Sequence, residues 1–377
     1  MRKAAARIRI RQICGLGLGE ELLATALIPA VRELVASESS AFAWVDSQGR
    51  VTNVYADRLS SMCLLTSLSD PCMQAHASHP SIHHFEAASE SGLNRILRAI
   101  VHDSGRELAQ ISLCRPASAS GFSRDEVSEL SGVLHYITHG MVRGRVLGRG
   151  QMNDLEFGDG PEEALVITDR LGTLMHATEE GRRMLLLAAG CKIDSTTLSS
   201  APIIVSDFLR AICGAIDAPV SSTRMTTWGR FVLRVYPLRD CVTSHQSLVG
   251  VYIRRQEPVI LEVVRAISQL PLSPQQRQIA LQIAQGQSNR EISASLHLSC
   301  NTVAYHVRQL FRKLGVHDRA GLMMRIRASS EDSMGPIAEP LAPRSFTEAA
   351  SASTRKLPRL VDTPRPDFSG CEAKLRA

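Results

Sequence analysis

Residues 286–316 read GQSNREISASLHLSCNTVAYHVRQLFRKLGV, and two capped helices are written into that stretch. Ser288 stands where an N-cap belongs and Glu291 follows three residues later, the capping-box arrangement. A short helix over about 289–296 follows, with Ile292 and Leu296 for the core. Ser299 caps a second helix that starts at Cys300, and Gly315 is placed to stop it in a left-handed turn. At about 100° per residue, Val303, Val307, Leu310 and Leu314 form one narrow apolar stripe. Asn301, Tyr305, Arg308 and Arg312 project from the opposite side.

Working outward, an earlier helix over Pro274–Gln285 has proline in its first turn and Ile279, Ile283 and Ala284 facing inward. A later one, Arg319–Arg327, offers Leu322, Met323 and Ile326 for packing or dimer contact. Two short amphipathic helices meeting at a tight turn can present the second to a DNA major groove. Asparagine pairs bidentately with adenine, and arginine with guanine or with phosphate. The reading helix is therefore Cys300–Leu314. The candidate DNA contacts are Ser288, Asn289, Arg290, Asn301, Thr302, Tyr305, Arg308, Arg312 and Lys313. Charge agrees. Between Leu272 and Arg327 stand eight lysines and arginines against two acids, an excess equal to the +6 of the whole chain. The basic excess is thus local, as phosphate neutralisation requires. A merely solvated basic face would not bring the caps and the stripe with it.

On these residues the segment resembles the LuxR-type helix-turn-helix domain of bacterial transcription regulators. The resemblance is carried by Leu272-Ser273, Gly286, Ser288-Asn289, Glu291-Ile292, Leu296, Ser299, Thr302-Val303, His306 and Lys313-Leu314-Gly315-Val316. It implies a sequence-specific regulator acting as a homodimer on double-stranded DNA, with RNA polymerase as a further partner. Two departures stand out. The family commonly has an acid where Gln276 stands, and a DNA-contacting lysine where Ala304 follows Thr302-Val303. Ala304 leaves a short apolar surface that suits a thymine methyl and holds no phosphate. The operator therefore cannot be carried over from the family.

A chain of 377 residues suits two or three domains. Over 8–143, Leu18–Val35 reads as a helix with Leu22, Leu23, Ala26, Leu27, Ala30, Val31 and Leu34 on one side. Strands 40–45 and 51–56 flank the turn Asp46-Ser47-Gln48-Gly49, Glu107–Cys114 is another strand, and Ser123 with Glu126 caps a helix over Arg124–Met141. Helix, hairpin, central helix, strand and terminal helix resemble a GAF-type sensor. Gly144, Gly148, Gly150, Gly158 and Gly160, with Asp154, Glu156 and Asp159 among them, read as a linker. Over 161–255, strands 164–168 and 173–177 around Asp169-Arg170-Leu171-Gly172 lead to a helix bearing Met184, Leu185 and Leu187. Strands 230–236 and 247–253 close the segment. This resembles a PAS-type domain, a sheet cupping a small cavity, and implies a small-molecule effector.

Pro258–Leu270 is an amphipathic helix with Ile260, Val263, Val264, Ile267 and Leu270 on its stripe. Pairing with its copy in a dimer and packing on its own sheet are equally open. The proline-bearing segment 329–377 lacks periodicity and reads as a disordered tail. The fold class is α+β: two sensor-like α/β modules, GAF-like and PAS-like, then an all-α four-helix LuxR-type helix-turn-helix domain over 271–328.

Other chemistry is sparse. His76, His79, His83 and His84 cluster in a polar segment without a helical ligand pair and read as a surface loop, not a metal site. Cys300 reads as a small tolerated side chain rather than a redox switch, and His306 as packing or one phosphate contact. Trp44 and Trp228, placed in strands, read as core or pocket wall. No G-x-S-x-G, Walker loop or H-E-x-x-H occurs, so neither an enzyme nor a cofactor is expected. Gly15–Gly19 precedes a helix without a preceding strand, which speaks against a dinucleotide. Nine cysteines without a C-x-x-C pair suit a reducing cytoplasm. No apolar run reaches membrane-spanning length, and the basic N-terminus lacks the apolar segment of a signal peptide. Alternatives to a signal-controlled regulator are a constitutive one whose N-terminal modules dimerise or bind protein, and an enzyme localised by its helix-turn-helix.

Overall fold

A computed structural model of the chain describes residues 2–59, 77–79, 81–89, 92–151, 155–213, 220–238 and 248–331. Helix α1, Arg2–Cys14, and helix α2, Glu20–Leu34, pack on each other and on a long helix α3, Arg124–Gln151. The basic start of the chain thus folds as a helix: Ala6, Ile10, Ile13 and Cys14 are buried, while Arg7 and Arg9 pair with Glu129 and Glu33. Arginine and isoleucine alternate over residues 7–11, a period of two that hides this helix in the sequence.

The first antiparallel sheet runs β2-β1-β6-β5-β4-β3. Its strands are β1 Ser39–Val45, β2 Val51–Ala56, β3 Ala77–His79, β4 Ile82–Ser89, β5 Gly92–Asp103 and β6 Arg106–Pro116. The expected hairpin and the 107–114 strand are present. In the stretch where a central helix was expected, the described residues instead supply β3, β4 and β5, and 60–76 lies outside them. His79, His83 and His84 accordingly sit in strands rather than a surface loop, and His76 is outside the described residues. Among the described residues no group of three or more His, Cys, Asp or Glu is placed to hold a metal.

The glycines read as a linker are a correction. Gly144, Gly148 and Gly150 lie inside α3, and Gly158 and Gly160 inside β7, Phe157–Asp169. Close approach explains two of them. A Cβ on Gly144 would stand 2.4 Å from the Leu18 carbonyl oxygen, and one on Gly160 would stand 2.7 Å from that of Arg255.

The second antiparallel sheet runs β8-β7-β11-β10-β9, with β8 Leu174–Ala177, β9 Val220–Thr226, β10 Gly229–Leu238 and β11 Leu248–Pro258. Helices α4 Glu179–Ala189, α5 Ser195–Ser199 and α6 Ala201–Cys213 fill the crossover between β8 and β9. Strand pair, short helices and closing antiparallel strands follow the expected layout. Polar, exposed β9 carries no alternation and escaped the sequence reading. Trp228 sits in the turn between β9 and β10, not in a strand, yet it is fully buried. It lies edge-on to Trp44 at 5.9 Å and stacks on Tyr55 at 5.8 Å, so aromatic groups of both sheets share one core.

Helix α7, Val259–Gln269, begins after Pro258, which is the cap rather than a first-turn residue. Its stripe, Leu261, Val264, Ala266 and Ile267, is buried. It packs on α1 and on the helices that follow more than on its own sheet, while Ile260 and Val263 of the expected stripe are only half-buried. Those helices are α8 Pro274–Ala284, α9 Asn289–Leu296, α10 Cys300–Leu314 and α11 Arg319–Glu331. The 332–377 tail lies outside the described residues. No helix among the described residues is long and apolar enough to cross a membrane. The chain is α+β, with two helix-backed antiparallel sheets followed by an all-helical segment.

Candidate nucleic-acid interface

The local code of the helix-turn-helix is realised bond by bond. The Ser288 hydroxyl accepts from the Glu291 N–H at 3.3 Å, and the Ser288 N–H donates to the Glu291 carboxylate at 2.7 Å. These bonds from Ser288 hold Glu291 below the usual carboxylate range. The Ser299 hydroxyl accepts from the Thr302 N–H at 3.0 Å and pairs with the Thr302 hydroxyl at 2.8 Å. Gly315 ends α10 at φ 67°. Between α9 and α10 the turn is made by His297, a non-glycine at φ 54°, with the Leu298 N–H donating to the Ser293 carbonyl at 3.0 Å. Gln276 completes a capping box with Ser273 in both directions, at 3.0 and 3.3 Å. A neutral amide here does the hydrogen-bonding work of the family's acid.

Burial of Val303, Val307 and Leu310 orients α10. Their packing on α8, α9 and α11 leaves Asn301, Tyr305, Arg308 and Arg312 exposed on the far side. Arg308 makes only a 3.4 Å bond to the Ala304 carbonyl, and Arg312 reaches Gln309 on the same helix. Lys313, Arg290 and Ser288 are exposed as well, and Thr302 is half-buried against Ser299. Among the candidate residues, Asn289 is the one drawn inward. Its side-chain oxygen accepts from Arg319 at 2.8 Å, while the same guanidinium bonds the Gln287 carbonyl.

Two of the eight basic residues counted in this segment are therefore structural. Arg319 braces the turn before α9. Arg277 donates to the Leu270 carbonyl at 3.3 Å, and burial lowers its pKa. Sequence spacing gives no sign of either duty, because both arginines bond backbone carbonyls, which every residue carries. A third unforeseen residue is Gln12, 1% exposed, whose amide donates to the Arg277 carbonyl at 3.1 Å and ties α1 to α8. Cys300 is exposed with its sulfur 3.2 Å from the Ser293 hydroxyl, and His306 lies half-buried beside Tyr305.

The family of bacterial regulatory proteins named luxR matches residues 270–326. An Escherichia coli (strain K12) protein named as an HTH-type transcriptional regulator, YhjB, is 41% identical over 59 residues. That match covers 16% of this chain and 30% of the relative's length, so the likeness is one of domain, not of whole protein. Among solved structures, a Vibrio cholerae VqmA dimer is 16% identical, covering 45% of this chain and 84% of its own, at a TM-score of 0.17. The E. coli DhaR(N)–DhaL complex is 12% identical, covering 67% and 89%, at 0.22. At those scores neither carries an argument about the remainder. Residues 270–326, with the capped helices α9 and α10 at their centre, belong to the LuxR family of bacterial regulatory proteins.

Proposed function

We propose that the chain is a sequence-specific DNA-binding transcription regulator that reads the major groove with α10. One observation carries the reading: Asn301, Tyr305, Arg308 and Arg312 stand exposed on one side of a helix whose other side is locked into a four-helix core. Asn301 and Arg308 suit base edges, while Arg290, Arg312 and Lys313 suit phosphates. Ser288, Thr302 and Tyr305 complete the contact surface. Asn289, held by Arg319, contributes by positioning the start of α9. On this reading the protein works as a dimer on half-sites about one helical turn apart, under a signal received by the N-terminal modules, and does so by binding rather than catalysis.

Binding of the full-length protein across a genome, beside an Arg308→Ala, Arg312→Ala double variant, tests it. Discrete peaks lost in the double variant are expected. Affinity should also fall with salt by roughly 0.9 log units per log unit of salt for each phosphate neutralised, so about 2.7 per protomer for Arg290, Arg312 and Lys313. Salt-insensitive binding, or peaks that survive the double substitution, would overturn the reading.

A further inference from the structure

One side of α3 is fully used by the chain itself. Leu130, Val133, Ile137 and Met141 are buried where α3 packs on α1, α2 and β5. Gly140 belongs to that side, since a Cβ there would stand 2.9 Å from the Cβ of Cys14. The opposite side is bare. Ser128, Gly132, His135, His139, Val142 and Val146 are all exposed, and they recur at alternating steps of four and three residues. That is the heptad spacing of a helix that pairs with another helix. Val146 is 78% exposed, which nothing in its own chain repays. Gly132 points the same way. A Cβ there would meet nothing within 4 Å, so no contact inside the chain calls for glycine. In a helix interior it costs about 1 kcal/mol relative to alanine, and what it offers in return is close approach by another backbone.

At the middle of this seam stand two imidazoles one helical turn apart. Residues four apart on a helix have Cβ atoms about 5–6 Å from each other, so both rings can reach one ion. Among the described residues neither His135 nor His139 has a hydrogen bond or an ion pair. The His135 ring meets that of Tyr136, with centroids 3.7 Å apart. No third ligand stands beside the pair in the same chain, so one chain fills half of a tetrahedral shell.

We propose that His135 and His139 bind a zinc ion whose shell is completed by the same two residues of a second copy, the two α3 helices pairing along this seam. A two-fold axis through the histidine layer brings four neutral imidazoles around one point, a donor set that suits zinc. The valines and Gly132 then supply the packing on either side of the ion. The proposal rests on the dimeric part of the reading above, to which it adds a contact between copies and the ion at it. It does not depend on how α10 meets DNA.

Zinc titration of the full-length protein, stripped of metal and free of DNA, tests it by analytical ultracentrifugation, with cobalt(II) as the spectroscopic stand-in. Binding should saturate at about one ion per two chains. Zinc should lower the concentration at which the copies dissociate by about tenfold or more. Cobalt(II) should give the intense visible absorption of a tetrahedral ion, without the near-ultraviolet band of thiolate ligands. His135→Ala and His139→Ala, both on the solvent side, should melt like the unsubstituted chain and lose the response to zinc. Val146→Lys, which sets cations against each other across the seam, should weaken zinc-driven pairing as well. Absence of a tetrahedral cobalt spectrum, saturation at one ion per chain, self-association indifferent to zinc, or an undiminished response in both histidine variants would overturn the proposal. Because no DNA enters this experiment, its failure leaves the operator-binding reading standing, and loss of operator binding leaves this site untouched.

Discussion

Arg308 and Arg319 are the same residue type in one small domain and do opposite work. Arg308 projects from α10 with little to hold it, whereas Arg319 is spent on the Gln287 carbonyl and the Asn289 side chain. Arg308→Ala is therefore expected to cost operator affinity roughly 1–3 kcal/mol and relax base preference at one position. Its melting temperature should be unchanged, as fluorescence anisotropy beside thermal melting will read. Arg319→Ala should do the reverse first: it leaves a carbonyl and an amide oxygen without their donor, at about 1–3 kcal/mol of stability. The sequence places Arg308 on the outward side of α10 and counts Arg319 only in the local basic excess. Only the contacts show Arg319 to be a brace.

At the scale of elements, legibility followed the range of the forces involved. Helices α8, α9 and α10 begin where Pro274, Ser288 and Ser299 say they should, and α10 ends at Gly315, since caps and turns are settled within four residues. Ser299→Ala should cost about 1 kcal/mol, seen as a lower midpoint in urea and faster amide exchange at the start of α10. Strands β4, β5 and β9 were not legible, because polar and apolar residues fall on both of their faces and such a strand is defined by its neighbours. Helix α3 shows the converse error. Gly144 looks like a linker residue in sequence, yet it is where α3 passes the Leu18 carbonyl. Gly144→Ala, favourable by helix propensity, should instead destabilise by about 1–3 kcal/mol through overpacking, measurable as a fall in the urea midpoint.

At the scale of the whole molecule, a buried ionic group joins the two sheets. Glu162 of β7 accepts from Arg183 of α4 at 2.6 Å and from Arg255 of β11. The same arginines reach the Ala56 carbonyl at 3.2 Å and the Thr25 hydroxyl at 2.6 Å, on the first sheet and α2. Burial alone would raise the Glu162 pKa, but Arg255 and Arg183 outweigh it and hold the carboxyl down to about 2. A depressed folded-state pKa means that this stabilisation is complete above the ordinary value of 4.5 and is lost as pH falls toward 2. Glu162→Gln should cost about 3–5 kcal/mol near neutrality by leaving Arg255 without its ion-pair partner, while Arg183 keeps Glu180. Urea titrations across that acid range should then show a flatter dependence on pH than the unsubstituted chain.

The sequence by itself determined the C-terminal helices, their caps, the side of α10 that faces outward and the local excess of positive charge. Each follows from residues a few positions apart, where propensity, periodicity and capping act without help. Tertiary structure alone decided which arginines are free, that α7 is covered by α1, α8 and α11, and that Trp44, Tyr55 and Trp228 form one core. Those outcomes depend on pairings between residues far apart in the chain, whose geometry exists only once sheets and helices have packed.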